Sequence, residues 1–181
     1  MKESFELVCY RVHGYYILLF CESEILFSSK PHFRGMELRL FRKSDQPNLK
    51  KLVSEVLGEY GFTVNEVWDN DLDDPQGEYI DKGGACFVLY DGDELVGSCA
   101  VMPLDKQVAK LRRMYLKSEY RGKGFGSQML REAEKFARSK GFKKLVLTTH
   151  SHLSRAIAFY KRSGFKETGS DEDILHFEKN L

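Results

Sequence analysis

Charge of one sign is what this chain has least of: 28 lysines and arginines stand against 27 aspartates and glutamates, for a net charge of +1. That balance excludes the cation excess of a nucleic-acid footprint or a polybasic membrane surface, and leaves room only for a local basic patch. Long hydrophobic runs are missing too. The longest, YYILLFC from Tyr15 to Cys21, falls far short of the roughly 18 residues that suggest a membrane span. Glu3 and Glu6 spoil the basic start of a secretory signal and no small-residue cleavage site follows, so cytoplasm is the expected location. Cysteine is sparse. Cys9, Cys21, Cys86 and Cys99 show neither CxxC pairing nor disulfide-scaffold density, and buried free thiols are expected. The five histidines have no HExxH spacing and no cysteine neighbours, so no metal centre is expected.

What is present describes a globular chain. Its 181 residues, 42% hydrophobic and 30% charged, suffice for one domain with a real core. Residues 1–35 differ from the rest: they hold no sustained period and end in the linker-like SSKPHFRG. This extension is either an extra strand or hairpin packed on the domain, or a translated leader before a domain spanning 36–181. The second is preferred, and a truncation starting at Met36 that fails to fold would count against it.

From Met36 the order of elements is legible. MELRL alternates as a half-buried strand. Ser44 or Asp45 can cap a helix that carries Pro47 in its first turn and the stripe Leu49, Leu52, Val53, Val56, Leu57. An acidic segment follows, WDNDLDDPQGEYIDKGG. ACFVLY and LVGSCAVMPL form a hairpin about DGDE, and VAKLRRMYL is a further strand. A helix from Gly124 to Lys140, a strand from Lys143 to Thr149, a helix from Ser151 to Ser163 and a closing antiparallel pair complete the series. Helices separated by strands plus a meander imply a mixed sheet with helices on both faces.

Between a strand and a helix lies EYRGKGFGSQML, Glu119 to Leu130. Glycines at 122, 124 and 126 let the backbone approach an anion closely, Arg121 and Lys123 add cationic donors, and the helix N-terminus offers unpaired amides. The context is that of a phosphate-binding turn. It is not a P-loop, because the sixth position from Gly122 is Ser127, and it is not a GxGxxG dinucleotide fingerprint, because the pattern is GxGxG.

RGxGxG after a strand of the LxxMYL kind resembles the pyrophosphate-binding motif of the GNAT superfamily of N-acetyltransferases. SRAIAFYKRSGFKET resembles the second signature of that superfamily, AIxFYxxxGF. The two stand in family order over roughly Met36 to Leu181. The resemblance implies an α/β fold of the α+β kind: a mixed, mostly antiparallel sheet with its central strands splayed, the GNAT-like acyl-CoA N-acyltransferase fold. It implies acetyl-CoA as cosubstrate and an amine, small-molecule or peptide, as acceptor, and it admits a homodimer. Carried over, the backbone of Met114, Tyr115 and Leu116 would meet the pantetheine arm and thioester. Arg121, Gly122, Lys123, Gly124, Phe125, Gly126 and Ser127 would hold the pyrophosphate. Tyr160 matches the tyrosine used as general acid toward sulfur, a phenol of pKa near ~10 being close to a thiol. Its alternative is to pack with Phe159 under the sheet.

Two departures from the family pattern stand out. Lys110 sits where relatives often carry a glutamate base, and Leu153 where they often carry an asparagine that contacts the coenzyme arm. His150, His152, Glu78, Tyr79 and the carboxylates of DNDLDDP are substitutes for the base or the acceptor lining, with a solvated acidic loop as the plainer alternative for the last. The function expected is transfer of an acetyl group from acetyl-CoA to a primary amine by direct attack in a ternary complex. The rival is a non-catalytic acyl-CoA-binding or regulatory protein, favoured by Lys110 and opposed by Tyr160.

Overall fold

The computed structural model describes residues 35–65 and 69–181 and, ahead of them, only the two short strands given next. The chain falls into two compact units, Met1–Arg34 and Gly35–Leu181. In the first, β1 (Cys9–Val12) pairs antiparallel with β2 (Tyr15–Leu18). The linker-like stretch before Gly35 and Cys21 lie outside the described residues.

The second unit is built on a seven-stranded sheet ordered β3-β4-β5-β6-β7-β9-β8. Its strands are β3 (Met36–Leu40), β4 (Ala85–Asp91), β5 (Glu94–Pro103), β6 (Val108–Leu116), β7 (Lys144–His150), β8 (Lys166–Asp171) and β9 (Ile174–Asn180). All neighbours run antiparallel except β6 and β7, as a mixed, mostly antiparallel sheet requires.

Helices cover both faces, and the side-chain pattern says why. In β4, Ala85, Phe87 and Leu89 enter one core while Cys86, Val88 and Tyr90 enter the other, so the strand reads as an unbroken apolar run. The first core is sealed by α2 (Phe125–Ser139), through Phe125, Met129, Leu130, Ala133 and Ala137, and by α3 (Ser154–Arg162). The second is sealed by α1 (Gln46–Gly58), whose Leu49, Leu52, Val53 and Val56 form the expected stripe. No described helix is long and apolar enough to cross a membrane.

Three local outcomes differ from the sequence reading. Asp45 stands at the N-cap of α1 without capping it: its carboxylate accepts from both Arg39 guanidinium nitrogens at 2.7 and 2.8 Å and from the Tyr90 hydroxyl at 2.9 Å. The same carboxylate also accepts from the Arg42 amide at 2.7 Å, so its oxygens are used upstream of α1 and not on its first turn. Helix α3 begins at Ser154 rather than Ser151, because the chain leaving β7 first turns, with the Leu153 amide donating to the His150 carbonyl at 3.1 Å. The acidic segment is a solvated loop only in part: Asp73 and Asp74 are exposed, whereas Asp69 and Asp71 pair with Arg113 of β6.

Candidate active site

The parallel pairing of β6 and β7 is short. Val108, Ala109 and Lys110 pair with Lys144, Leu145 and Val146, and there it stops. β6 continues to Leu116 and β7 to His150, so a wedge opens between two central strands, narrow at Lys110 and Val146. The edges of both strands inside it lack a strand partner among the described residues. An extended chain of alternating donors and acceptors could supply one.

A bulge shapes one wall of the wedge. Register between β5 and β6 shifts between Ser98 and Ala100, and opposite this shift Arg113 takes φ +51°, a conformation that costs a non-glycine residue about 1–2 kcal/mol. The surroundings hold it there. The buried Ser98 hydroxyl donates to the Arg113 carbonyl at 2.8 Å. The Arg113 guanidinium donates to both Asp71 oxygens, through Nε at 2.7 Å, and to Asp69 at 2.7 Å. Asp71 also accepts from the Tyr79 hydroxyl and, at 3.5 Å, from Arg112. Asp71 is 1% exposed and Arg113 7%. Burial alone would push the Asp71 carboxyl up, but Arg113 and then Tyr79 outweigh it and hold the group below the usual carboxylate range.

The bulge also breaks the alternation of β6. Ala109 and Leu111 face α2, as do Met114 and Leu116 beyond the bulge, whereas Tyr115 packs on the α1 side. Arg112 and Arg113, consecutive in sequence, both reach Asp71 on the α1 side. The pair RR in a strand otherwise alternating apolar and polar was the available signal for this cluster, together with DNDL upstream. Neither names the partner.

At the wide end of the wedge lies the glycine turn. Gly122 and Gly124 take φ +75° and +90°, and a methyl group on either would meet open space. Both choices follow from backbone need rather than crowding. Gly124 is the N-cap of α2, and the first-turn amides of that helix, Gly126 and Ser127 among them, have no carbonyl one turn earlier in the helix. A diphosphate fits such a turn: open on its outer side, rich in amides and set at the positive end of a helix. Lys123 extends its ammonium over the Tyr120 ring at 5.8 Å.

Arg121 behaves otherwise than expected from the motif alone. Its guanidinium donates to the Leu116 carbonyl at 2.8 Å and pairs with Glu59 at 2.7 Å, lying over Tyr60. The side chain ties the turn to the C-terminal end of α1, so it braces the turn instead of reaching into it. Phe125 is buried in the core. Gly126 backs onto the Phe159 ring, 3.6 Å from where a methyl would sit.

Tyr160, on α3, sits among Phe159, Phe165 and Phe177 with ring centroids 5.4, 5.8 and 6.4 Å away. The packing alternative is therefore realised. Yet its hydroxyl makes no hydrogen bond to any described residue, and 8% of the residue stays exposed. Burial first, then Tyr115 and Cys99, push its phenol well above the ordinary value. It is consequently a neutral donor at any physiological pH. His150 stacks on Phe62 at 4.9 Å and His152 lies tilted against it at 5.4 Å, beside a cavity of about 100 Å³ lined by Tyr60, His152, Leu153, Ser154, Arg155 and Ala156.

A central sheet parted between two parallel strands, with an amide-rich turn at the opening, is the architecture of an acyltransferase that works on acyl-CoA thioesters. The chain belongs to the acetyltransferase (GNAT) family, whose model matches residues 49–165. It is 32% identical to the uncharacterized N-acetyltransferase YjgM of Escherichia coli (strain K12), over 71% of this chain and 81% of that protein. It is 30% identical to human N-acetyltransferase 8B over 55% of this chain, spanning about half the length of that relative (46%). The fold matches the PaiA N-acetyltransferase of Thermoplasma acidophilum, solved in complex with coenzyme A, with a TM-score of 0.70 at 24% identity, over 81% of this chain and 99% of that one. The cosubstrate of this family is acetyl-CoA.

Proposed function

We propose that the chain transfers the acetyl group of acetyl-CoA to a primary amine, by direct attack of the amine while both are bound. The observation that carries this is the wedge between β6 and β7 with the glycine turn at its wide end. In this reading the amides from Gly122 to Ser127 hold the pyrophosphate, with Lys123 alongside. The backbone of Met114, Tyr115 and Leu116 pairs with the pantetheine arm, while the side chains of Met114 and Leu116 stay in the core. The thioester supplies an activated acetyl group. The Tyr160 hydroxyl, unpaired with any described residue, holds a proton for the departing sulfur. Cys86 and Cys99 are buried free thiols, Cys86 pushed up to about 12 by burial. They support a reducing compartment, the cytoplasm.

The turn offers a direct test. Gly124→Val places a β-branched side chain at φ +90° and over the amides. Strain of about 1–2 kcal/mol is expected in stability, together with a loss of coenzyme A affinity on the order of a hundredfold as charge-assisted amide contacts are blocked. Calorimetric titration of coenzyme A checks it, and normal affinity would remove the pyrophosphate assignment.

A further inference from the structure

The acidic segment of this chain, Asp69 to Asp74, suggests a cationic acceptor when read as sequence; in the structure three of its four carboxylates already have cationic partners. Asp69 and Asp71 are taken by Arg113, Asp73 by Lys50 at 2.5 Å, and Asp74 by the Gly77 amide at 3.0 Å. At the apex of the wedge, the group without a counter-ion among the described residues is a cation.

Lys110 stands at the apex, the last residue of β6 to pair with β7. Its cross-strand neighbours are Met102 on β5 and Val146 on β7, so it shares the α1-side face with both. The side chain is half-buried. Its ammonium has no carboxylate partner among the described residues. The neighbouring groups on the same face have other partners: Arg112 leans toward Asp71, Lys144 pairs with Glu178 at 2.7 Å, and the His176 ring lies beside Asp171. His150, farther along β7, is stacked on Phe62. Burial, and then Arg112, depress the Lys110 ammonium below its ordinary value, as befits a cation without a counter-ion.

This lone cation faces the place an acceptor must use. With the pyrophosphate at the wide end of the wedge, the arm runs inward and its thioester end lies toward the apex. The α2 side of the sheet there is filled by packed core, so the amine approaches from the α1 side. Lys110 lies four positions before Met114, roughly 13 Å along the strand, and its flexible stem covers part of that distance, leaving the rest to the acceptor. An ammonium there repels a polycation and attracts an anion.

We propose that the acceptor is an amine that also bears an anionic group, carboxylate or phosphate, which Lys110 binds at the narrow end of the wedge. This deepens the acetyl-transfer reading above and rests on it.

The test measures thiol release from acetyl-CoA with matched amines: L-phenylalanine against phenethylamine, O-phosphoethanolamine against ethanolamine, and spermidine. The anionic member of at least one pair is expected to be used with about tenfold higher kcat/KM, and which pair shows the gain identifies the anion. For that amine Lys110→Met should raise KM about tenfold with the KM for acetyl-CoA unchanged, and Lys110→Arg should restore it. The proposal is overturned if neither anionic amine is used better than its anion-free partner, if spermidine is used as well as the better of the two, or if the amine KM is unchanged in Lys110→Met. If coenzyme A binds in calorimetry and no amine releases thiol, the acetyl-transfer reading fails first, and this assignment falls with it.

Discussion

Replacing Asp71 by alanine is expected to destabilise the folded chain by about 3–5 kcal/mol, because the change strands a buried guanidinium. Arg113 would keep its bond to Asp69 but lose the more deeply buried carboxylate, and the Tyr79 hydroxyl, on a fully buried ring, would lose its acceptor. For a domain of this size the unfolding midpoint should fall on the order of 10 °C. Thermal unfolding followed by circular dichroism checks it; a drop of one or two degrees would mean that the ion pair is not the support of the bulge. The companion variant Asp71→Leu with Arg113→Met removes both charges. It should recover part of the stability, since apolar replacement of a buried pair is often neutral or better, while Asp69 and the Tyr79 hydroxyl still lose their partners. It should recover coenzyme affinity only in part, because the Ser98 hydroxyl bond to the carbonyl of residue 113 would then hold φ +51° without the ion pair.

The pH dependence follows in sign. Asp71 titrates lower in the folded chain than in the unfolded one. Its contribution is therefore fully present above the unfolded value of about 3.9 and is lost as pH falls through the lower, folded value. The stability gap between the parent and Asp71→Ala should stay constant from neutral pH down to about 4 and narrow below it.

The element order from Met36 onward was legible because each element carried its own period and its own stop: the α1 stripe, the Asp-Gly hairpin, the α2 face ended by Gly141. The turn was legible for a similar reason, since its glycines, strand and helix lie within a dozen residues. The buried cluster was not. Asp71 and Arg113 are 42 positions apart, and in one sequence a carboxylate that will be buried reads like one that will be solvated. The side-chain partners of Arg121 were not legible either, because Glu59 and Tyr60 come from the turn after α1, some sixty positions earlier. Local rules fix which residues share a face; only the fold decides which faces meet.

Tyr160→Phe should leave the chain folded and its coenzyme affinity unchanged while lowering kcat by about 10²- to 10⁴-fold, the range of a lost proton donor. The fold is spared because the ring contacts with Phe159, Phe165 and Phe177 need no hydroxyl, and that hydroxyl has no partner among the described residues to abandon. The depressed rate follows because the departing thiolate then leaves into a buried, low-dielectric pocket without a donor. The raised phenol pKa sharpens the expectation. A donor less acidic than a thiol stabilises the leaving sulfur through a hydrogen bond and does not ionise in advance. The parent kcat should thus show no loss from tyrosine ionisation up to about pH 10, where an unperturbed phenol would already be half ionised. Steady-state kinetics from pH 6 to 10 on both proteins separate the roles. A parent profile that falls near pH 8 would assign the limb to another group, and an unchanged kcat in Tyr160→Phe would leave the tyrosine as packing alone.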